Sequence, residues 1–202
     1  MNFGLFYSLF PHAKDVRTID YQKGTLISGG LDNVVVLYQK IDGKLVEVSR
    51  CDIFESYIHS VKINPFADTG NRFLVGCKDS KIFVLDHQGN PVKVLEGHTG
   101  PVSSLSFINA DQFVSGSWDG TAIVWSISQG QKLLTFSGHQ HAVAVLAVNN
   151  FVITGSQDKS LNLWDLTTGK LVKKSANVFV VFFFFFFLAR GSWRLRLGRS
   201  AT

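Results

Sequence analysis

Residues 113–125 are FVSGSWDGTAIVW, and three other segments of the chain share their layout. Each segment pairs two runs rich in β-branched and aromatic residues around a turn of small residues and aspartate, which is typical of a β-hairpin. The other three are LISGGLDNVVVLY (26–38), FLVGCKDSKIFVL (73–85) and VITGSQDKSLNLW (152–164). The sequence therefore predicts four hairpins of one design, repeated along the chain.

The spacing around these hairpins repeats as well. A histidine precedes each turn aspartate by 20, 20, 21 and 19 residues, in the pairs His12 and Asp32, His59 and Asp79, His98 and Asp119, His139 and Asp158. Six positions after each aspartate stands a bulky residue, in order Tyr38, Leu85, Trp125 and Trp164. One further strand is expected before each hairpin and one after it. Four strands in about 40 residues are typical of a propeller blade.

The last two units resemble WD repeats in their motifs as well as in their spacing. They carry Gly-His at 97–98 and 138–139, followed by VSGSWDGTAIVW and SLNLWD. The resemblance implies a hydrogen-bonded set in each of these two blades, formed by His98, Ser115, Asp119 and Trp125 and by His139, Thr154, Asp158 and Trp164. In the first two units Tyr38 and Leu85 replace tryptophan and Val75 replaces serine, so we expect incomplete sets there.

A narrower resemblance is carried by HAKDVRTI (12–19), NRFLVGCKDSKIFVLD (71–86), LEGHTGPVSSLSF (95–107) and SGSWDGTAIVW (115–125). In this order the segments are similar to the first blades of the phospholipase A-2-activating protein family. That resemblance implies a seven-bladed propeller that binds ubiquitin or ubiquitylated proteins in ubiquitin-dependent degradation. It also implies contact with the valosin-containing AAA ATPase, but only through domains absent from this chain.

We therefore predict an all-β WD-repeat β-propeller with about four of those seven blades, open and incomplete. The blades are expected at about residues 12–49, 59–95, 98–136 and 139–174, and residues 7–9 resemble a ring-closing strand. Residues 175–202 are expected to be a tail outside the fold. This tail contains VFVVFFFFFF from residue 178, which we interpret as the translation of a thymine-rich tract before a splice acceptor.

Propellers commonly bind partners on the face where the turn aspartates lie, which we call the top face. The WD resemblance implies three top-face positions in each blade: the residue before the aspartate and those three and five after the histidine. The expected contact residues are Asp15, Arg17, Leu31, Lys78, Pro101, Ser103, Trp118, Ala142, Ala144 and Gln157. In the second blade the spacing from His59 to the strand is shorter, so the corresponding positions are Ser60 and Lys62, one and three residues after His59. Trp118 either contacts the apolar patch of ubiquitin or packs across neighbouring loops.

Catalysis is not expected, because the histidines and aspartates recur in every blade, whereas a catalytic centre does not. The sequence contains no HExxH, GxSxG, P-loop or CxxC pattern. We therefore expect a non-enzymatic chain without a metal or other cofactor.

The formal net charge of +5 is concentrated beyond residue 169, where seven basic residues follow the last acidic one. Residues 1–169 contain 13 basic and 15 acidic residues, so we expect neither nucleic acid nor membrane as a partner of the propeller. Two alternatives remain open: a general WD scaffold for another protein or peptide, and a basic tail that binds RNA or an anionic membrane. Two cysteines and no secretory signal predict a cytoplasmic or nuclear protein.

Overall fold

The computed structural model describes residues 12–66 and 73–176. The ring-closing strand predicted at residues 7–9 lies outside these residues, as do residues 177–202 of the predicted poly-Phe and Arg-rich tail. Residues 175 and 176, also assigned to that tail, are the last two of the final strand. All regular elements of the described residues are β-strands. None of these residues forms a helix long and apolar enough to span a membrane.

Sixteen strands follow one another along the described chain. They are β1 (Val16–Gln22), β2 (Thr25–Gly30), β3 (Val35–Ile41), β4 (Lys44–Cys51), β5 (Ile58–Ile63), β6 (Phe73–Cys77), β7 (Ile82–Leu85), β8 (Pro91–Leu95), β9 (Val102–Phe107), β10 (Gln112–Ser117), β11 (Ala122–Ser126), β12 (Gln131–Phe136), β13 (Val143–Val148), β14 (Phe151–Ser156), β15 (Ser160–Asp165) and β16 (Leu171–Ala176).

The strands form four separate antiparallel sheets, each with four strands in sequential order. Blade 1 holds β1–β4, blade 2 β5–β8, blade 3 β9–β12 and blade 4 β13–β16. Each sheet is a meander, because short turns join each strand to the next one. This arrangement confirms the predicted all-β propeller architecture with four blades.

Successive blades pack face to face through apolar side chains. Three buried clusters fill the spaces between them, with Ile27 and Val75 in the first, Leu74 and Trp125 in the second, and Val114 in the third. The first strand of each blade lies beside the first strand of the next blade. The core is therefore divided among the interfaces between blades, as expected for a repeat fold in which each unit contacts its neighbours.

A glycine at one register position lets the blades approach closely. Gly29, Gly76 and Gly116 occupy this position in β2, β6 and β10. A Cβ atom on Gly116 would overlap the carbonyl oxygen of Val143 in the next blade, and one on Gly29 would overlap the Ile58 side chain. The small residues before the turn aspartates are therefore set by packing between blades.

Hydrogen bonds between inner strands fix the offset of neighbouring blades. Side-chain oxygens of Thr18 and Asp20 accept the backbone N–H groups of Val61 and Ile63, at 3.1 and 2.8 Å. In blade 3, the hydroxyls of Ser104 and Ser106 likewise accept the N–H groups of Val145 and Ala147 in blade 4, at 3.0 and 3.1 Å. The turns that carry the aspartates are thereby aligned on one face.

Candidate functional site

A chain of hydrogen bonds ties the top loop of blade 3 to its hairpin. His98 Nδ1 donates a hydrogen bond to the Asp119 carboxylate at 2.8 Å. In the neutral ring Nε2 is then an acceptor, and it receives a hydrogen bond from the Ser115 hydroxyl at 2.7 Å. Trp125 Nε1 in turn donates to the Ser115 oxygen at 2.8 Å. In blade 4, His139, Asp158, Thr154 and Trp164 form the same chain, with distances of 2.8–3.0 Å.

Hydrogen bonds and burial affect the charges of this network in opposite ways. Burial alone raises the pKa of Asp119, but hydrogen bonds from Thr121 and Thr99 and the contact with His98 outweigh it, so the pKa lies below its ordinary value. Burial also lowers the pKa of His98, and Asp119 offsets only part of that shift. At neutral pH the pair is therefore a neutral imidazole that donates to a carboxylate.

The first two blades depart from this pattern to different degrees. In blade 1 His12 bonds to Asp32 at 2.9 Å and to Ser28 at 2.8 Å, so three members are present and Tyr38 replaces the fourth. Blade 2 has no such set among the described residues. Strand pairing places Phe54 four residues before the first β5 pair, where the other blades have histidine.

The assignment of His59 to the blade-histidine position is therefore wrong. Phe54 is buried and packs edge-to-face against Phe83, with ring centroids 5.0 Å apart. The Asp79 carboxylate accepts the N–H of Lys81 at 3.3 Å, and Ser56 accepts the N–H of Asp79 at 3.0 Å. An apolar contact thus replaces the buried polar network in this blade.

One backbone hydrogen bond per blade fastens each turn to the loop before the first strand. The residue before the turn aspartate donates its N–H to a loop carbonyl, in the pairs Leu31 to Asp15, Lys78 to Tyr57, Trp118 to Pro101 and Gln157 to Ala142, at 2.9–3.3 Å. Seven of the ten predicted contact residues thus lie in these pairs. In blade 2 the loop partner is Tyr57, which the sequence reasoning missed.

A β-bulge in the first strand determines the remaining top-face positions. The pairing register shifts around residues 17, 59 and 103, which places Arg17, His59 and Ser103 at the bulges of blades 1, 2 and 3. A bulge redirects a side chain relative to its strand. The structure thus places two of the predicted residues, Arg17 and Ser103, at equivalent positions and adds His59.

Three other residues predicted by counting from a histidine, Ala144, Ser60 and Lys62, do not lie at a bulge. Blade 4 pairs without a shift, so Ala144 faces Gly155 at the register that Ser104 has with Gly116 in blade 3. Ser60 and Lys62 pair with Gly76 and Leu74, which places them along β5 beyond the bulge. Their placement follows from the missing blade-2 histidine and the missing blade-4 bulge.

Trp118 lies at the centre of this face with its backbone held and its ring free. Its N–H is bonded to Pro101 at 3.0 Å, yet 56% of the residue is exposed. The ring lies 5.7 Å from that of His59 in the neighbouring blade, at an angle of 52°. On its other side a depression is lined by Trp118, Gln140, His141, Ala142 and Gln157. Trp118 therefore both contacts His59 at the bulge of β5 and offers an exposed apolar surface.

Positive charge gathers on the blade 1 and blade 2 side of Trp118. The Lys78 ammonium lies 5.0 Å from the centre of the Tyr57 ring, a cation–π distance. Burial, together with the positive charges of Arg17 and Lys78, lowers the pKa of His59. The geometry agrees, because Thr18, next to Arg17, is bonded to Val61 in blade 2, and Lys78 lies over Tyr57, two residues before His59. We call Arg17, His59 and Lys78 the basic cluster.

The described residues contain no group of three or more His, Cys, Asp or Glu side chains placed to hold a metal ion. The histidine–aspartate pairs are instead consumed by structural hydrogen bonds within their own blades. What the face offers is an exposed aromatic ring beside fixed positive charges.

Comparison with known proteins agrees with the blade geometry. The sequence profile of the WD40 family (WD domain, G-beta repeat) matches residues 89–126 and 130–165. These two segments match WD40 repeats. Each begins shortly before the outer strand of one blade and ends with the third strand of the next, so the sequence repeat links neighbouring blades.

Relatives with WD repeats carry different functional names. The chain is 29% identical over 162 residues to the WD repeat-containing protein RUP1 of Arabidopsis thaliana, covering 74% of this chain and 42% of RUP1. It is 28% identical over 179 residues to the ribosome biogenesis protein WDR12 homolog of Drosophila persimilis, covering 78% of this chain and 42% of that protein. The chain thus spans less than half the length of these relatives.

Among solved structures, the WD40 β-propeller domain of Doa1 has a similar fold, with a TM-score of 0.74 at 23% identity. The match covers 84% of this chain and 56% of the Doa1 domain. At this identity the likeness establishes the propeller fold.

Proposed function

We propose that this chain is a non-catalytic scaffold that binds a segment of a partner protein on its top face. The observation that carries the proposal is the exposed Trp118 ring, which lies against His59 of the neighbouring blade, while Arg17 occupies the equivalent bulge of the blade before it. WD40 domains mediate protein–protein interactions, and exposed tryptophan is enriched among residues that dominate binding energy. A rigid backbone under Trp118 reduces the entropy lost on binding.

Site-specific photocrosslinking tests this proposal. A photoreactive amino acid is placed at position 157, which is exposed and lines the depression beside Trp118, and in a second variant at position 170, in the turn between β15 and β16 at the opposite end of the same blade. After irradiation in cell extract, position 157 should give protein adducts that excess unlabelled chain suppresses. Equal adducts from both positions would contradict a top-face site.

Ubiquitin is the second candidate partner. It is supported by the resemblance of the sequence motifs to the phospholipase A-2-activating protein family and by the exposed apolar surface of Trp118. Ubiquitin presents an apolar patch with a basic rim, so that rim would have to lie beside Asp15 and away from Arg17 and Lys78. A role in AAA-ATPase-dependent degradation would depend on a longer protein.

Isothermal titration calorimetry of the full chain with ubiquitin distinguishes the two candidates. Saturable binding that Trp118→Ala weakens would support the second candidate. Absence of heat with ubiquitin, together with specific crosslinks at position 157, would support the general scaffold and count against ubiquitin. The basic tail lies outside the described residues, so binding of RNA or anionic membrane by the tail stays a prediction.

A further inference from the structure

We propose that the partner segment bound at the top face is acidic, with a carboxylate at the basic cluster next to an apolar side chain on Trp118. This inference rests on the proposed protein-binding function and specifies its partner chemistry. A ubiquitin-like partner would bring a basic rim to this face, whereas the segment proposed here brings a negative charge to the basic cluster.

The first step in the argument is that two permanent positive charges are held here without internal compensation. Arg17 is exposed at the blade 1 bulge, and Lys78 is exposed at the blade 2 turn. Ion pairs within the described residues involve other side chains, such as Lys62 with Asp20 and Arg50 with Glu47. Arg17 and Lys78 are therefore available to an external carboxylate.

Both cations are also placed by the fold. The Lys78 backbone is fastened to Tyr57 at 2.9 Å, and its ammonium lies over the same ring. Arg17 leaves β1 at a register shift, one residue before Thr18, whose hydroxyl is bonded to blade 2. Because their anchors are rigid, less conformational entropy is lost when a carboxylate binds.

The half-buried His59 ring lies near these charges. Burial lowers the pKa of His59 most, and the positive charges of Arg17 and Lys78 lower it further. A carboxylate in this place would relieve that repulsion and could accept a hydrogen bond from the His59 ring. The field thus favours an anionic partner group over a cationic one.

The depression on the blade 4 side of Trp118 carries polar and apolar side chains: it is lined by Gln140, Ala142 and Gln157 with His141, and no lysine or arginine of the described residues lines it. Lys159 is exposed at the blade 4 turn but is not among the lining residues. A nucleic acid backbone favours a continuous basic groove, whereas this arrangement fits a short segment with its acidic residue on one side of an apolar residue. The expected recognition order is acidic, apolar, then uncharged polar.

Selection from a random peptide display library on the immobilised full chain tests the inference. Wild type should enrich peptides with Asp or Glu close to an aromatic or aliphatic residue. Binding of a selected synthetic peptide should weaken about two- to fivefold with Arg17→Gln and again with Lys78→Gln. Lys170→Gln, which removes an equally exposed charge from the opposite end of blade 4, should leave the affinity unchanged.

The remaining outcomes separate this inference from the scaffold proposal. Enriched peptides that are neutral or basic, yet need Trp118, would overturn the acidic partner and keep protein binding. Failure to enrich any peptide that Trp118→Ala weakens would count against both. Oligothymidine binding that needs Arg17 and Lys78, without acidic enrichment, would replace the peptide by nucleic acid. Thermal melts confirm that each variant is folded.

Discussion

Replacing the turn aspartate should have very different effects in blades 2 and 3. Asp119 accepts hydrogen bonds from His98, from the N–H of Thr99 and from both the N–H and the hydroxyl of Thr121, at 2.6–2.9 Å. Its side chain is 9% exposed. Asp79 holds the same position in blade 2, but it is exposed, and within the described part of the chain its carboxylate accepts one hydrogen bond, from the N–H of Lys81 at 3.3 Å.

The magnitude follows from these partners. A hydrogen bond to a charged group contributes about 1.5–3 kcal/mol, but bonds that share one acceptor are not additive. Removing one member of a buried charged set typically costs about 3–5 kcal/mol, because its partners are left unsatisfied. We expect Asp119→Ala to lower the free energy of unfolding by about that amount and Asp79→Ala by about 1 kcal/mol or less.

Urea unfolding of the full chain, followed by tryptophan fluorescence, measures this difference. Trp125 is buried and bonded to Ser115, so its emission should shift as blade 3 opens. Asp119→Asn, which keeps the shape and loses the charge, should fall between wild type and Asp119→Ala. Losses for Asp119→Ala and Asp79→Ala that agree within about 0.5 kcal/mol would refute the role assigned to the network.

Three further changes test other features of the fold. Phe54→His should destabilise the chain by about 2–4 kcal/mol in urea unfolding, because the contact with Phe83 is lost and the new imidazole faces Val75, where other blades have a hydroxyl. Equal or higher stability would show that blade 2 accepts the polar network. Lys159→Gly should stabilise it by up to about 1 kcal/mol, since Lys159 has a left-handed backbone with φ of 66°; a lower melting temperature would contradict this. The lowered pKa of His98 means that the unfolded state takes up the proton first, so stability should fall as pH drops below about 6.5, and urea midpoints that do not fall with pH would contradict a buried neutral ring.

The four blades could be predicted from the sequence because the hairpin repeats with constant spacing. Alternating apolar residues and turn residues are local signals, and the six positions from aspartate to the bulky residue lie within one hairpin. The polar networks of blades 3 and 4 were predictable for the same reason. Each of their members lies within one blade, so the strand register alone brings them together.

The top face could be predicted only in part, because histidine was used as the reference point in every blade. His59 precedes Asp79 by the usual number of residues. Because the connection between β5 and β6 is longer than its counterparts, the position equivalent to the other histidines lies earlier in the chain, at Phe54. Aligning Ile58, Ser60 and Val61 with Val102, Ser104 and Leu105 instead shows that His59 corresponds to Ser103. The alternation of the strand was thus a better guide than the motif residue.

The sequence placed Arg17 and Lys78 on the top face, but it did not predict that they gather around His59 as the basic cluster. Arg17 and Lys78 lie in different blades, and their proximity depends on the inter-blade hydrogen bonds of Thr18 and Asp20. Such contacts are decided by tertiary packing, which neither composition nor spacing reports. The net charge of the chain pointed instead to the C-terminal tail.

The affinity of a peptide selected on the full chain, measured by calorimetry for Trp118→Ala, tests the central claim most directly. The account predicts a loss of about 1–3 kcal/mol in binding with a nearly unchanged melting temperature. Val172→Ala serves as the control, since Val172 is 55% exposed on the outer strand of blade 4. Unchanged affinity for Trp118→Ala, or an equal loss for Val172→Ala, would contradict a binding site centred on this face.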